Sequence, residues 1–147
     1  MSDNDLIQLY SKQILALAAS IPHQTALEAP QGQAKSRSPL CGSMVAVELC
    51  VDDDHVSAFS QNVKACALGQ ASASILGKVV VGLDQNTLQR GRDQLSAMLK
   101  ENGPVPSAPF EGYEVLQPAR EFKNRHASIL LAFDATLEAI DAAKANA

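Results

Sequence analysis

The chain reads as an α+β protein: a small antiparallel sheet of about three strands with helices packed on one face. Three observations lead there. Apolar residues recur at helical spacing in an N-terminal stretch, and two later runs alternate with period two around an acidic turn. Several further segments of helical period then follow the strands. At 147 residues the chain is expected to be one domain, 1–147. Hydrophobic residues make up 46% and aromatics only 4%, with no Trp, so the core should be built from Leu, Val, Ile and Ala.

Residues 5 to 21 form the first predicted helix. Leu6, Leu9, Tyr10, Ile14, Leu17 and Ile21 share a face, and Pro22 stops it. A polar stretch runs from His23 to Gln33, and a short strand is expected near Ala34 to Ser38. From Met44 to Val51 the period is two: Val45, Val47, Leu49 and Val51 on one face, Met44, Ala46, Glu48 and Cys50 on the other. Asp52, Asp53 and Asp54 make the turn, and Val56 to Val63 pairs back as a hairpin.

Cys66 opens a helix of small residues, including Ala67, Gly69, Ala71, Ser72, Ala73 and Ser74, with Leu68, Ile75 and Val79 as its buried stripe. Such a helix lets another backbone approach closely. The next helix spans about Gln85 to Glu101, with Leu88, Leu95, Met98 and Leu99 inward, and ends at Asn102-Gly103-Pro104. Pro104, Pro106 and Pro109 stiffen the loop to Gly112. The last helix is expected from near Pro118, which suits a first helical turn. Its inner stripe is Phe122, His126, Ile129, Phe133, Leu137 and Ile140.

The net charge is −4, with no basic run and no aromatic residues interleaved with basic ones, which excludes nucleic acid as an expected partner. No apolar run approaches a membrane span. Met1-Ser2-Asp3-Asn4-Asp5 is acidic and polar, the opposite of a secretory or transit signal, so a cytoplasmic protein is expected. Three cysteines in such a chain do not make a disulfide framework.

The cysteines divide by position. Cys50 lies in mid-strand and reads as structural, since free Cys commonly behaves as a small hydrophobe. Cys66 sits at a helix start, where free amides and the dipole suit an anionic thiolate. Cys41 precedes Gly42 in a turn introduced by Pro39, a path that can aim a thiolate out of a loop. His126 lies on the apolar stripe of the last helix, either as a core histidine or as a zinc or iron ligand. Arg120, Lys123 and Arg125 flank it, as a solvated face or as a source of positive potential. The aspartate run lacks the ligand spacing of a calcium loop, and Gly69 and Gly77 do not form a phosphate loop. No paired carboxylates or Ser-His-Asp set stands out, and no enzymatic activity is expected.

Cys41-Gly42 before a strand, Ala65-Cys66-Ala67 opening a small-residue helix, and His126-Ala127-Ser128-Ile129-Leu130 on the last helix resemble the iron–sulfur scaffold family of IscU and the NifU N-terminal domain. The order of elements agrees over nearly the whole chain, and the implied fold is SufE/NifU-like. The spacing from Cys66 to His126 is similar to that of the SufU branch, whose insertion would include the Pro-rich loop. The resemblance implies a site of Cys41, Cys66 and His126. The family's third cysteine follows the histidine, where Ala127 stands here, and its aspartate is replaced by Ser43. The Leu-Pro-Pro-Val-Lys segment of IscU is absent. Water, Ser43 or a partner's side chain would complete the coordination of zinc, iron or a labile Fe–S cluster.

Three functions follow from the resemblance. The first is a cluster assembly scaffold, supplied with sulfur by a cysteine desulfurase and delivering to a downstream carrier or apo-protein. The second is a zinc-dependent, SufU-like sulfur acceptor with Cys41 carrying the persulfide. The third is a degenerate member that regulates by binding.

Overall fold

The computed structural model describes residues 11–39 and 42–146. Helix α1 (Lys12–Ala19) is shorter than the helix expected over residues 5 to 21: Ser11 caps its start, its hydroxyl accepting from the Ile14 amide, and it ends at Ala19, before Ile21 and Pro22. The expected contributions of Leu6, Leu9 and Tyr10 lie outside the described residues.

Strands β1 (Gly32–Arg37), β2 (Met44–Asp52) and β3 (His55–Lys64) form an antiparallel sheet in the order β1-β2-β3. The alternation on β2 decides its faces: Val45, Val47 and Leu49 are buried, opposite Val63, Gln61 and Phe59 of β3 and Ser36, Ala34 and Gly32 of β1. A register shift between Cys50 and Val51 ends the strict alternation. Asp53 and Asp54 both have positive φ, 51° and 64°, the left-handed pair that a two-residue hairpin turn requires.

Helix α2 (Ala67–Gly77) departs from the expected stripe: every residue from Leu68 to Gly77 except Gln70 is buried. It packs against α1 and, on another side, against the last helix, so small side chains are needed all round. Helix α3 (Gln85–Lys100) buries Leu88, Leu95, Met98 and Leu99 as expected, and Asn102 (φ 53°) turns the chain away.

The last helix, α4 (His126–Ala145), begins later than expected. Before it come a 3₁₀ segment, Glu111–Glu121, with Pro118 inside it, and a short 3₁₀ turn, Lys123–Arg125. Pro118 has no amide to give and its ring obstructs an α-helical path. Phe122, at φ −113° and ψ 75°, breaks the chain direction again. Phe122 is therefore not on α4, and His126 is the first residue of the helix rather than one in its third turn.

α4 crosses β1 and β2 and also contacts α2 and α3. Its approach to the sheet is closest at Gly32, where an added Cβ would collide with the Ala139 carbonyl and lie 2.7 Å from the Ala143 amide nitrogen. Tyr113 of the 3₁₀ segment donates to the Ser72 carbonyl (2.8 Å), and the Ser72 hydroxyl donates to the Ile129 carbonyl (2.6 Å). Complete burial raises the Tyr113 pKa, which keeps the phenol protonated for that bond. No helix among the described residues is long and apolar enough to cross a membrane.

Asp84 caps α3 by accepting from the Thr87 amide (2.8 Å). Hydrogen bonding from Thr87, helped by His55, lowers its pKa below 3.8, so the folded state binds the proton less tightly than the unfolded state. The stability this contributes is present above pH 3.8 and is lost as pH falls through the folded value. Asp84→Ala is expected to lower the thermal midpoint at pH 7, with the gap to the parent closing as the pH falls below 3.8. Thermal melts across that range check this; a gap that persists undiminished at low pH would exclude the charge as its cause.

Candidate functional site

The first turn of the last helix meets the start of α2 at Ser128 and Cys66. Cys66 is the N-cap residue of α2, with extended backbone (φ −65°, ψ 170°) and no side-chain capping bond. Its half-buried thiol is thus not spent on the helix, and Sγ lies 3.6 Å from Ser128 Oγ. Ser128, in the first turn of α4, is 1% exposed and donates to Ser43 Oγ at 2.9 Å. Ser43, 3% exposed, immediately precedes β2. Thiol and two hydroxyls therefore form one hydrogen-bonded row joining α2, α4 and the β1–β2 connection.

Cys41 lies outside the described residues. The backbone on either side of it is closed by bonds from the Ser38 amide to the Ser43 carbonyl (2.8 Å) and from the Gly42 amide to the Ser38 carbonyl (3.1 Å). Gly42 adopts φ 71°, the left-handed conformation expected of a tight turn there.

His126 is 5% exposed. Its Nε2 is 3.0 Å from the Ala119 carbonyl, which can only accept, so that nitrogen carries the proton. Burial lowers the imidazole pKa, and the charges of Lys100 and Lys123 add to this against the opposing carbonyls of Ala119 and Arg120. A neutral ring protonated on Nε2 leaves a lone pair on Nδ1. His126 lines a cleft with Leu99, Lys100, Asn102, Arg120, Glu121 and Lys123, whereas the α4 side chain in contact with Cys66 is Ser128. Residues two apart on a helix do not share a face. No three His, Cys, Asp or Glu side chains gather as a metal-holding group among the described residues.

Ser128 is the site residue that sequence reasoning missed. Ala127, taken as occupying the position of the family's third cysteine, is not the residue beside Cys66. The available signal was a lone hydroxyl in the apolar run from Ala127 to Phe133. Cys50 stands apart, near the far end of β2, where its thiol donates to the Ala29 carbonyl (3.4 Å).

Gly69 sets the separation of α2 and α4 at this point. A Cβ there would lie 2.7 Å from Ser128 Oγ and 2.8 Å from Ala65 Cβ. Gly69→Ala gains up to about 1 kcal/mol of helix propensity but incurs about 1–3 kcal/mol of overpacking. The net expectation is a lower thermal midpoint together with faster reaction of Cys66 with a chromogenic disulfide, measured on a background lacking Cys41 and Cys50. An unchanged midpoint and thiol rate would show that the helices can separate freely.

No protein-family model matches the chain, and no curated protein shows significant similarity to it. Solved structures do. The N-terminal part of a nitrogen-fixing NifU-like protein from Brucella abortus is 40% identical, with a TM-score of 0.93 over 97% of this chain and 99% of that one. A protein from the thermophile Fervidobacterium islandicum, assigned as an iron–sulfur cluster assembly scaffold for the SUF system, is 15% identical, with a TM-score of 0.79 over 91% of this chain and 98% of that one. A third protein, of unassigned function, is 21% identical with a TM-score of 0.80, covering 92% and 98%. The last two share the fold. The identity to the first, sustained over almost the full length of both chains, places this chain in the family of NifU-like N-terminal domains.

Proposed function

We propose that this protein is an iron–sulfur cluster assembly scaffold, taking up iron and sulfide and holding a labile cluster as cargo until an acceptor removes it. The observation that carries the reading is the 40% identity to the NifU-like N-terminal structure over 97% of the chain. The position of Cys66, a thiol that makes no capping bond to its own helix and lies beside Ser128 at the start of α2, supports it.

In this reading Cys41 and Cys66 supply the thiolates. Ser128 lies beside Cys66 and Ser43 beyond it in the same row, and their hydroxyls are weaker ligands for iron and zinc than thiolates. Weak flanking donors suit a carrier that must release its cargo. His126, expected from the sequence as a third ligand, keeps Nδ1 as a lone pair but opens into the neighbouring cleft. We assign it instead to anchoring the start of α4 through Ala119, with Ser128 beside Cys66. The proposed partners are a cysteine desulfurase and a downstream carrier or apo-protein in the cytoplasm.

The hydroxyls also favour a second reading, because clusters are typically held by four thiolates. In a sulfur relay, the Cys41 thiolate attacks the outer sulfur of the desulfurase's cysteine persulfide. A new S–S bond forms on Cys41, the old one breaks, and the donor cysteine leaves as a thiolate. Zinc would hold Cys41 ready, although one thiol and two hydroxyls form a poor zinc set without it.

Ser128→Cys is expected to tighten zinc binding about tenfold or more in competition with a chromogenic chelator, since a thiolate replaces a hydroxyl beside Cys66. Ala127→Cys should leave affinity unchanged, and His126→Gln should leave it within about threefold of the parent. An equal gain from Ala127→Cys, or loss of binding in His126→Gln, would reverse these assignments.

Anaerobic reconstitution with ferrous iron, cysteine, a desulfurase and a dithiol that reduces the persulfide sulfur to sulfide separates the functions, with persulfide assayed in a parallel sample lacking the dithiol. A scaffold develops visible sulfide-to-iron charge-transfer absorption, and Cys41→Ser and Cys66→Ser each abolish it. A colourless protein that accelerates the desulfurase and carries persulfide on Cys41 is a relay. One that does neither retains only a regulatory binding role.

A further inference from the structure

The cleft beside His126 is distinct from the Cys66 row and has its own chemistry. It encloses about 520 Å³ between the end of α3 and the start of α4. Lys100, Arg120 and Lys123 line it, with Glu121 as the one acidic side chain among the lining residues. None of the three cations makes a salt bridge among the described residues, where the recorded ion pairs both belong to Arg92.

Lys100, in the last turn of α3, is partly accounted for by the negative end of its own helix. Arg120 is not. One guanidinium Nη reaches the Gly103 carbonyl at 3.4 Å, while its Nε is buried and has no hydrogen-bond partner among the described residues. A buried donor on a cation without an acceptor is costly, and such a group calls for a missing partner. Lys100 and Lys123 line the same cleft as Arg120 and His126, which puts three cationic side chains around one space. Among the described residues the cleft thus offers Arg120 Nε no acceptor and sets three cations against one carboxylate.

We propose that this cleft binds a small, multiply charged oxyanion, either a phosphate or a polycarboxylate, with Arg120 as the directional donor and Lys100 and Lys123 as point charges. Asn102 supplies a neutral amide at the rim. The assignment does not depend on the iron–sulfur reading, since none of these side chains belongs to the proposed thiolate set. Occupancy would be felt there, however, because His126 and Ser128 share the first turn of α4.

The test is a thermal melt and an amide-shift titration of the full chain at pH 7.5, with sodium phosphate, with citrate, and with sodium chloride at matched ionic strength. At saturating anion the midpoint should rise by about 3 °C or more beyond the chloride control. Amide shifts should concentrate at Lys100, Asn102, Arg120 and Lys123. The exposed pair Lys100→Gln/Lys123→Gln should fold normally and lose at least two-thirds of the rise. Arg120→Gln should lose it as well; should that variant unfold, the lysine pair decides. A response to phosphate alone assigns a tetrahedral oxyanion, and one to citrate alone a carboxylate. The proposal is overturned if neither anion exceeds chloride, or if the lysine pair responds as the parent does.

Discussion

Helix α4 lies almost in contact with the backbones on two of its sides, and the rest of the structure is arranged around that closeness. At the sheet the limit is set by Gly32, with no room for a Cβ against Ala139 and Ala143. At α2 it is set by Gly69 against Ser128. Backbones this close leave polar groups without water, so hydroxyls take its place: Ser72 donates to Ile129, and Ser128 to Ser43. Larger side chains at the glycines would separate the layers and strand those groups.

The candidate site is a by-product of the same packing. Where α2 begins, Cys66 needs no role in capping; where α4 begins, Ser128 is pressed against it; where β2 begins, Ser43 completes the row. One contact set therefore does two jobs, holding the layers together and shaping the surroundings of the Cys66 thiol. Residues that look interchangeable for stability are not so for chemistry, since a hydroxyl and a thiol of similar size differ greatly as metal ligands.

The start of α4 divides the molecule's chemistry in two. Ser128 faces the thiol, while His126 lines a cleft with Lys100, Arg120 and Lys123. The two residues lie on one turn of the helix, so both places are built on the same short piece of backbone.

Much of this was legible in the sequence. Alternation from Val45 to Leu49 determined which of those β2 residues are buried, because a strand's side chains must alternate between faces, while Met44 is buried and Val51 only half-buried against that pattern. The small residues after Cys66 determined that another helix would pack closely, and Pro22 and Asn102-Gly103-Pro104 determined where helices stop. The pairing of Cys41 with Cys66 as the chemical residues rests on their local settings and on family likeness, and Cys41 itself lies outside the described residues. What only the tertiary structure decided was the phase of the last helix. A helical pattern read from Pro118 predicts a stripe that includes Phe122 and His126, but Pro118 and Phe122 divert the chain into 3₁₀ turns and α4 starts eight residues later. Each residue of an α-helix advances the side-chain direction by about 100°, so where that helix docks determines which of its first-turn side chains meets Cys66. Periodicity lists the candidates; the docking of α4 against Gly69 chose Ser128.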